Sequence, residues 1–200
     1  MIALIDYGAG NLTSVRKGFA AAGADLFTPS GADELRLATA IVVPGVGHFA
    51  ATSALDHDWR HAIRQALDRG ALLFGICLGQ QWLFDGSDEA PGVPGLGLIR
   101  GRCRRLPPTL KVPHVGWNSL EMRKPSQLLA GIAHGTQAYF THSYAAEVTD
   151  AAVATTTHSA TFAAVVETPQ LFGVQFHPEK SGPSGVQMLK NFVSLCSRNV

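Results

Sequence analysis

Residues 71–81, Ala-Leu-Leu-Phe-Gly-Ile-Cys-Leu-Gly-Gln-Gln, constrain this chain more than any other stretch. A wholly apolar run ends in Gly75-Ile76-Cys77-Leu78-Gly79, and a helical pattern begins with Gln80, Gln81, Trp82, Leu83 and Phe84. A short apolar run bounded by glycines suits a strand buried on both faces, the kind found where helices cover a parallel sheet. A sulfur nucleophile held between two glycines, where such a strand turns sharply into a helix, fits a nucleophile elbow. The glycines serve a strained turn and a close backbone approach. The helix start would aim free N–H groups and a positive dipole end at the sulfur, which favours the thiolate. Taken alone, the same stretch also fits an inert buried cysteine.

A second stretch, Phe172-Gly173-Val174-Gln175-Phe176-His177-Pro178-Glu179-Lys180-Ser181, supplies what a cysteine nucleophile needs. A base must take the thiol proton, and a third group must fix the tautomer of that base. An apolar strand ending in His-Pro-Glu offers both. In an extended segment residues i and i+2 share a side, so Glu179 is expected beside the His177 ring. Pro178 is expected to keep the segment from running on as a helix. Cys77, His177 and Glu179 together form a candidate triad.

The first hundred residues alternate strand and helix. Met1–Ile5 is an apolar strand, residues 6–10 a turn, and residues 11–22 a helix with Leu12, Val15, Phe19 and Ala22 along one face. A strand near 25–28, a helix near 33–37, a strand at 40–43, a turn at 44–47 and a helix at 59–68 precede the nucleophile strand. Such βαβ alternation predicts a parallel sheet with helices on both faces and a site at the carboxyl edge of its strands. From residue 86 the pattern changes. A loop over 86–94 leads into short strands over 96–122, a strand at 139–144, a strand pair at 151–157 and 161–167, and a final amphipathic helix at 184–196. Arg100, Arg102, Arg104 and Arg105 alternate as on a solvated strand face.

Two other patterns are weaker. Gly8-Ala9-Gly10-Asn11 lacks the third glycine of a dinucleotide fingerprint and the acidic residue that should end the second strand. His57 and His61 are spaced as helical zinc ligands, but no third ligand is evident, and Asp56 or Asp58 is expected to cap that helix. No metal or cofactor is expected.

GICLGQQ with GVQFHPEKS resembles the class I (triad) glutamine amidotransferases. IDYGAGN at 5–11, PGVGHF at 44–49, PHVGWN at 113–118 and YFTHSY at 139–144 narrow the likeness to their histidine-biosynthesis members, the glutaminase subunits of imidazole glycerol phosphate synthase. The likeness runs from about residue 2 to the last helix. It implies an open, mostly parallel, flavodoxin-like sheet flanked by helices, with additional antiparallel strands in the C-terminal half. It implies glutamine hydrolysis by Cys77, His177 and Glu179, with an oxyanion hole from the Gly45-Val46-Gly47 loop and the Leu78 amide. By the same resemblance Gln81, His142, Ser143 and Tyr144 bind glutamine. Asn11, Pro113, Trp117, Asn118 and Lys180 face a (βα)8-barrel cyclase subunit, which forms a heterodimer with the chain and receives its ammonia. Ammonia released into water would be protonated and lose its nucleophilicity, so its delivery calls for a closed passage.

Composition agrees. Two hundred residues fit a single domain over 1–200, long enough to bury roughly 70% of the unfolded surface. Hydrophobic residues at 46% against 16% charged suggest some surface hidden against a partner. A net charge of +1 gives no reason for a nucleic-acid or membrane partner. Three cysteines without Cys-x-x-Cys spacing suggest neither disulfides nor a zinc cluster, and a reducing cytoplasm suits a reactive thiol. Three alternatives stay open: the glutaminase of another ammonia-channelling synthase such as anthranilate synthase, a stand-alone thiol hydrolase, and a regulatory module that would tolerate loss of Cys77.

Overall fold

The computed structural model describes residues 1–198; positions 199 and 200, which the single-domain reading takes in, lie outside the described residues. The apolar runs read from the sequence form the middle of an eight-stranded sheet. Strands β1 (Ile2–Leu4), β2 (Leu26–Phe27), β3 (Ala40–Val43), β4 (Leu72–Ile76) and β13 (Leu171–Val174) lie in the spatial order β2-β1-β3-β4-β13. All four pairings among them are parallel. The sheet continues antiparallel through β12 (Ala160–Glu167), β11 (Ala152–His158) and β8 (Glu121–Met122). This is the flavodoxin-like order with an antiparallel extension. Smaller ladders complete the C-terminal half: β5 (Gly86–Ser87), β6 (Arg102–Arg105) and β10 (Tyr144–Ala146) in one, β7 (His114–Ser119) and β9 (Gln137–His142) in the other.

Strand periodicity divides the core in two. Ile2, Leu4, Val42, Leu72 and Phe74 point to the face covered by α1 (Leu12–Ala21) and α4 (Gly182–Arg198). Ala3, Ile5, Ile41, Val43 and Leu73 point to the face covered by α2 (His57–Asp68) and α3 (Leu78–Trp82). Because both faces are covered, these strands read as continuous apolar runs rather than alternating ones. Asn11 caps α1 by accepting from the Ser14 N–H, and Asp56 caps α2 through the Asp58 and Trp59 amides.

Three expectations change. Gly86–Ser87, assigned to a loop, pairs in parallel with Arg102–Cys103 as β5. The helix near 33–37 is a 3-10 turn over Ala32–Leu37. The strand expected over 139–144 runs over Gln137–His142, breaks at Ser143 and resumes as β10, because its two parts pair with different partners, β7 and β6. The arginine strand has its solvated face, yet alternate burial places Cys103 in the core, while Arg104 bridges Asp88 at 2.9 Å and Glu147 at 2.8 Å. No helix of the described residues is long and apolar enough to cross a membrane.

Phe192 of α4 is fully buried and meets the rings of Phe19, Phe74 and Phe172 with centroids 4.8–6.3 Å away. It therefore ties both helices of one face to β4 and β13. Phe192→Ala is expected to cost about 3–5 kcal/mol. Thermal unfolding should show a fall in Tm of about 2–4 °C per kcal/mol.

Candidate active site

The carboxyl ends of β1, β3, β4 and β13 bring four separate sequence motifs together. Cys77 follows β4 directly with φ 54° and ψ −106°, a strained backbone for a residue with a side chain, as a nucleophile elbow requires. Its amide is anchored to Val174 O at 2.8 Å. The flanking glycines are steric necessities. A Cβ on Gly79 would stand 1.9 Å from Val43 O, and one on Gly75 would stand 2.5 Å from Gly79 O. α3 begins at Leu78, two residues earlier than the pattern suggests, and closes at Trp82. The missing side chain at Gly79 lets the first turn press against the β3 backbone, so the helix starts as soon as the elbow ends.

The base comes from the segment after β13. His177 and Glu179 are both 2% exposed at the side chain, and His177 Nδ1 meets Glu179 Oε1 at 2.8 Å. The geometry differs from the extended pairing expected from the sequence. Pro178 starts a 3-10 turn over Pro178–Lys180, because its fixed φ suits the first position of a helical turn. The turn folds Glu179 back beneath the ring. His177 N donates to Tyr139 O at 2.9 Å, and Ser181 Oγ donates to His177 O at 2.7 Å. Burial disfavours the charged imidazole, but the nearby Cys77 sulfur and the Glu179 carboxylate outweigh burial and push His177 up to about 10, while Nε2 itself is buried with no hydrogen-bond partner among the described residues. The ring is held in a form that can carry a proton between the thiol and a leaving group.

Cys77, Leu78, Gln81, Val46, Gly47, Glu89, Pro113, Thr141, His142, Ser143 and Tyr144 enclose a recess of about 230 Å³. Against the ~300–1,000 Å³ of drug-sized sites, this suits a single amino acid. A larger recess of about 520 Å³ holds Arg100, Arg123 and Asp150, shares no residue with this one, and is lined by no cysteine or histidine. Among the described residues no cluster of His, Cys, Asp and Glu is placed to hold a metal ion.

The Gly45-Val46-Gly47 loop is tied to the elbow. Leu78 N–H donates to Gly45 O at 3.4 Å, so the elbow amide already has an acceptor. Tyr7, from the first motif, donates to Pro44 O at 2.8 Å and sits against Gly45, where a Cβ would come within 2.4 Å of its hydroxyl. Burial, and then the neighbouring Cys77, hold the Tyr7 phenol protonated far above its usual range. Gly47, with φ 97°, is the freer end of the loop.

Two hydrogen-bond chains meet at Tyr144 O, which only accepts. Gln81 Nε2 donates to it at 2.7 Å, and His142 Nδ1 at 3.0 Å. The second chain therefore has one polarity: Asn118 Nδ2 to His114 Nε2 at 3.3 Å, and His114 Nδ1 to His142 Nε2 at 3.2 Å. Asn118 also donates to Thr157 O and accepts from Ser119 N. Its amide is thus engaged within the chain. The exposed surface of this stretch comes from Pro113, Val115 at 57% and Trp117 at 55%. Asn11 and Lys180 are exposed as well.

Sequence reasoning missed Tyr7, Glu89, Gln175 and Ser181. Glu89 brings a carboxylate to the recess, held by the Phe49 amide at 2.8 Å. Nothing in its loop sequence marks it. Gln175 and Ser181 lie in the quoted stretch on either side of His-Pro-Glu, at positions where only the fold shows a role.

Burial, with the neighbouring histidines, keeps His142 and His114 neutral, at about 3 and about 4. Unfolded histidine titrates near 6.5, so the unfolded chain binds more protons between pH 6.5 and 4. The contribution of these two histidines should be complete above pH 6.5 and be lost on acidification. For the buried His142 the loss is at most about 1.4 kcal/mol per pH unit. Urea midpoints measured from pH 7.5 to 4.5 should drop, and drop less steeply in His142→Asn.

The glutamine amidotransferase class-I family model matches residues 3–196. The imidazole glycerol phosphate synthase subunit HisH of Methanothermobacter thermautotrophicus is 45% identical over 196 residues, covering 98% of each chain. The protein of the same name from Deinococcus radiodurans is 45% identical, covering 96% of this chain and 92% of its own. Among solved structures, a glutamine amidotransferase aligns with TM-score 0.77 at 16% identity over 98% of this chain and all of its own. The PurLQS structure from Thermotoga maritima aligns with TM-score 0.76 at 18% identity, over 96% and 97%. At those identities the two structures speak for the fold alone. The family match and the elbow with its buried base meet on one conclusion: the chain belongs to the class-I glutamine amidotransferases.

Proposed function

We propose that this chain is the glutaminase subunit of imidazole glycerol phosphate synthase, hydrolysing glutamine to glutamate and ammonia for a partner synthase subunit. The observation that carries the chemistry is the strained Cys77 elbow beside the buried His177–Glu179 pair in one small recess. The relatives named HisH, matched over almost the full length of both chains, support the assignment to this synthase.

The Cys77 thiolate attacks the side-chain amide carbon of glutamine, and the carbonyl oxygen takes the negative charge. The Leu78 amide and an amide of the Gly45-Val46-Gly47 loop stabilise that oxygen once Gly45 O releases Leu78 N–H. His177 gives a proton to the leaving nitrogen, the C–N bond breaks, and ammonia departs. Water then attacks the thioester as His177 takes its proton, releasing glutamate and restoring the thiolate. Glu179 holds the ring by Nδ1 and stabilises its charged form. Ser143, Tyr144, His142 and Gln81 form the wall that orients the amino-acid end, and Glu89 offers a carboxylate to its ammonium.

The partner in this proposal is a (βα)8-barrel cyclase that covers the recess and turns the ammonia into imidazole glycerol phosphate and an aminoimidazole carboxamide ribotide, in the cytoplasm. Exposed apolar groups support a covering partner: Val46 at 39%, which lines the recess, and Val115 and Trp117 on β7, the strand paired with the recess strand β9. Asn11, Pro113 and Lys180 join this face, and Asn118 buttresses it. A stand-alone hydrolase would leave that apolar rim without a purpose.

Glutamate release from glutamine should be slow for the isolated chain and rise strongly with the barrel and its nucleotide substrate. Cys77→Ala should lower it by roughly 10³-fold or more. Full activity alone, indifferent to the barrel, would reject the partner. Trp117→Ala should weaken the complex by about 2 kcal/mol, roughly 30-fold in Kd by titration calorimetry.

A further inference from the structure

We propose that Gln175 is a positioning residue for the nucleophile, donating its side-chain N–H to Cys77 Sγ with a polarity fixed by Gln81 and the Tyr144 carbonyl. Gln175 is fully buried, and its Nε2 lies 3.7 Å from Cys77 Sγ. A buried primary amide is costly unless its groups are paired, so its placement at the sulfur has to be accounted for.

The direction of the bond follows from the network rather than from choosing between the two ends of an amide. Tyr144 O accepts only, so the Gln81 group 2.7 Å from it is the NH2. The same NH2 lies 3.1 Å from Gln175 Oε1, which makes that end of Gln175 the acceptor. Its NH2 is then the end that faces the sulfur. A donor aimed at sulfur stabilises the thiolate over the thiol and restrains the Cys77 side chain.

Backbone contacts hold the amide in place. Gln175 N donates to Ala164 O at 2.9 Å, tying it to β12, and Gln81 N donates to Cys77 O at 3.1 Å. One segment therefore supplies both the base, His177, and the donor, Gln175. The elbow supplies both the nucleophile and the residue that orients the donor. Gln81 acts on the sulfur through this relay, while its own Oε1 remains for the substrate.

The proposal rests on the glutaminase reading, but its test reads the thiol without glutamine. Alkylation of Cys77 by iodoacetamide in the full-length chain is followed by mass spectrometry of its peptide from pH 5.5 to 9.5. Gln175→Met keeps the bulk and removes the donor; it should slow alkylation at pH 6.5 about tenfold while the high-pH plateau is retained. Gln175→Glu, with a carboxylate beside the sulfur, should slow it further. In the complex, Gln175→Met should lower kcat and leave KM for glutamine nearly unchanged. A Gln175→Met profile superimposable on wild type, in a protein melting within a few degrees of it, overturns the proposal. If Gln175→Met does not fold, Gln81→Met decides: it leaves Gln175 in place without its orienting partner, so two- to threefold slower alkylation at pH 6.5 supports the relay and an unchanged rate rejects it. Absence of glutaminase activity in the wild-type complex, with the expected alkylation difference between wild type and Gln175→Met, would instead reject the glutaminase reading alone.

Discussion

The active edge depends on one close approach, that of Gly79 to the β3 backbone at Val43. No side chain fits there, and because none is present the chain can leave β4, strain once at Cys77, and enter a helix within a residue. That contact sets where the thiol points. It also locates the Gly45-Val46-Gly47 loop, since the loop is the continuation of β3 after Val43 and its Gly45 carbonyl reaches the Leu78 amide. A strained residue persists only where its surroundings over-determine it, and here parallel pairing on both sides of β4 does so.

The base side is built on the same principle, with close packing in place of strain. Gly18 of α1 and Gly185 of α4 bracket the 3-10 turn: a Cβ on Gly185 would fall 2.0 Å from Pro178 O, and one on Gly18 would fall 3.0 Å from the Glu179 side chain. Two helices thus press the turn against the sheet and bury an ion-pairing group beneath an imidazole. A buried carboxylate is expensive unless paired, so Glu179 and His177 hold each other in position.

The polar interior is organised around the Tyr144 carbonyl, at the break where the chain leaves β9 for β10. One hydrogen-bond chain arrives from Asn118 through two neutral histidines, the other from Gln81 and Gln175. The first joins the exposed β7 strand to the wall of the recess, and the second joins that wall to the sulfur. Since every member has its polarity fixed by a single acceptor, the network specifies one arrangement of the wall.

The sequence by itself determined the parallel sheet, the elbow and which three residues form the candidate triad. Each is a local matter: doubly buried strands must be continuously apolar, a strained turn must have glycine neighbours, and His-Pro-Glu keeps base and carboxylate two residues apart. The family resemblance carried by its motifs also implied a partner-facing Trp117, and that ring is 55% exposed. Only the tertiary structure decided how those pieces act. Glu179 reaches His177 through a 3-10 turn because helices pack on it, and the short antiparallel strands took their partners from ladder pairing that no local pattern encodes. Glu89, Tyr7 and Gln175 join the site for the same reason. Their roles arise from neighbours 40, 37 and 98 positions away, to the Phe49 amide, the Pro44 carbonyl and the Cys77 sulfur, and periodicity carries no information over such distances.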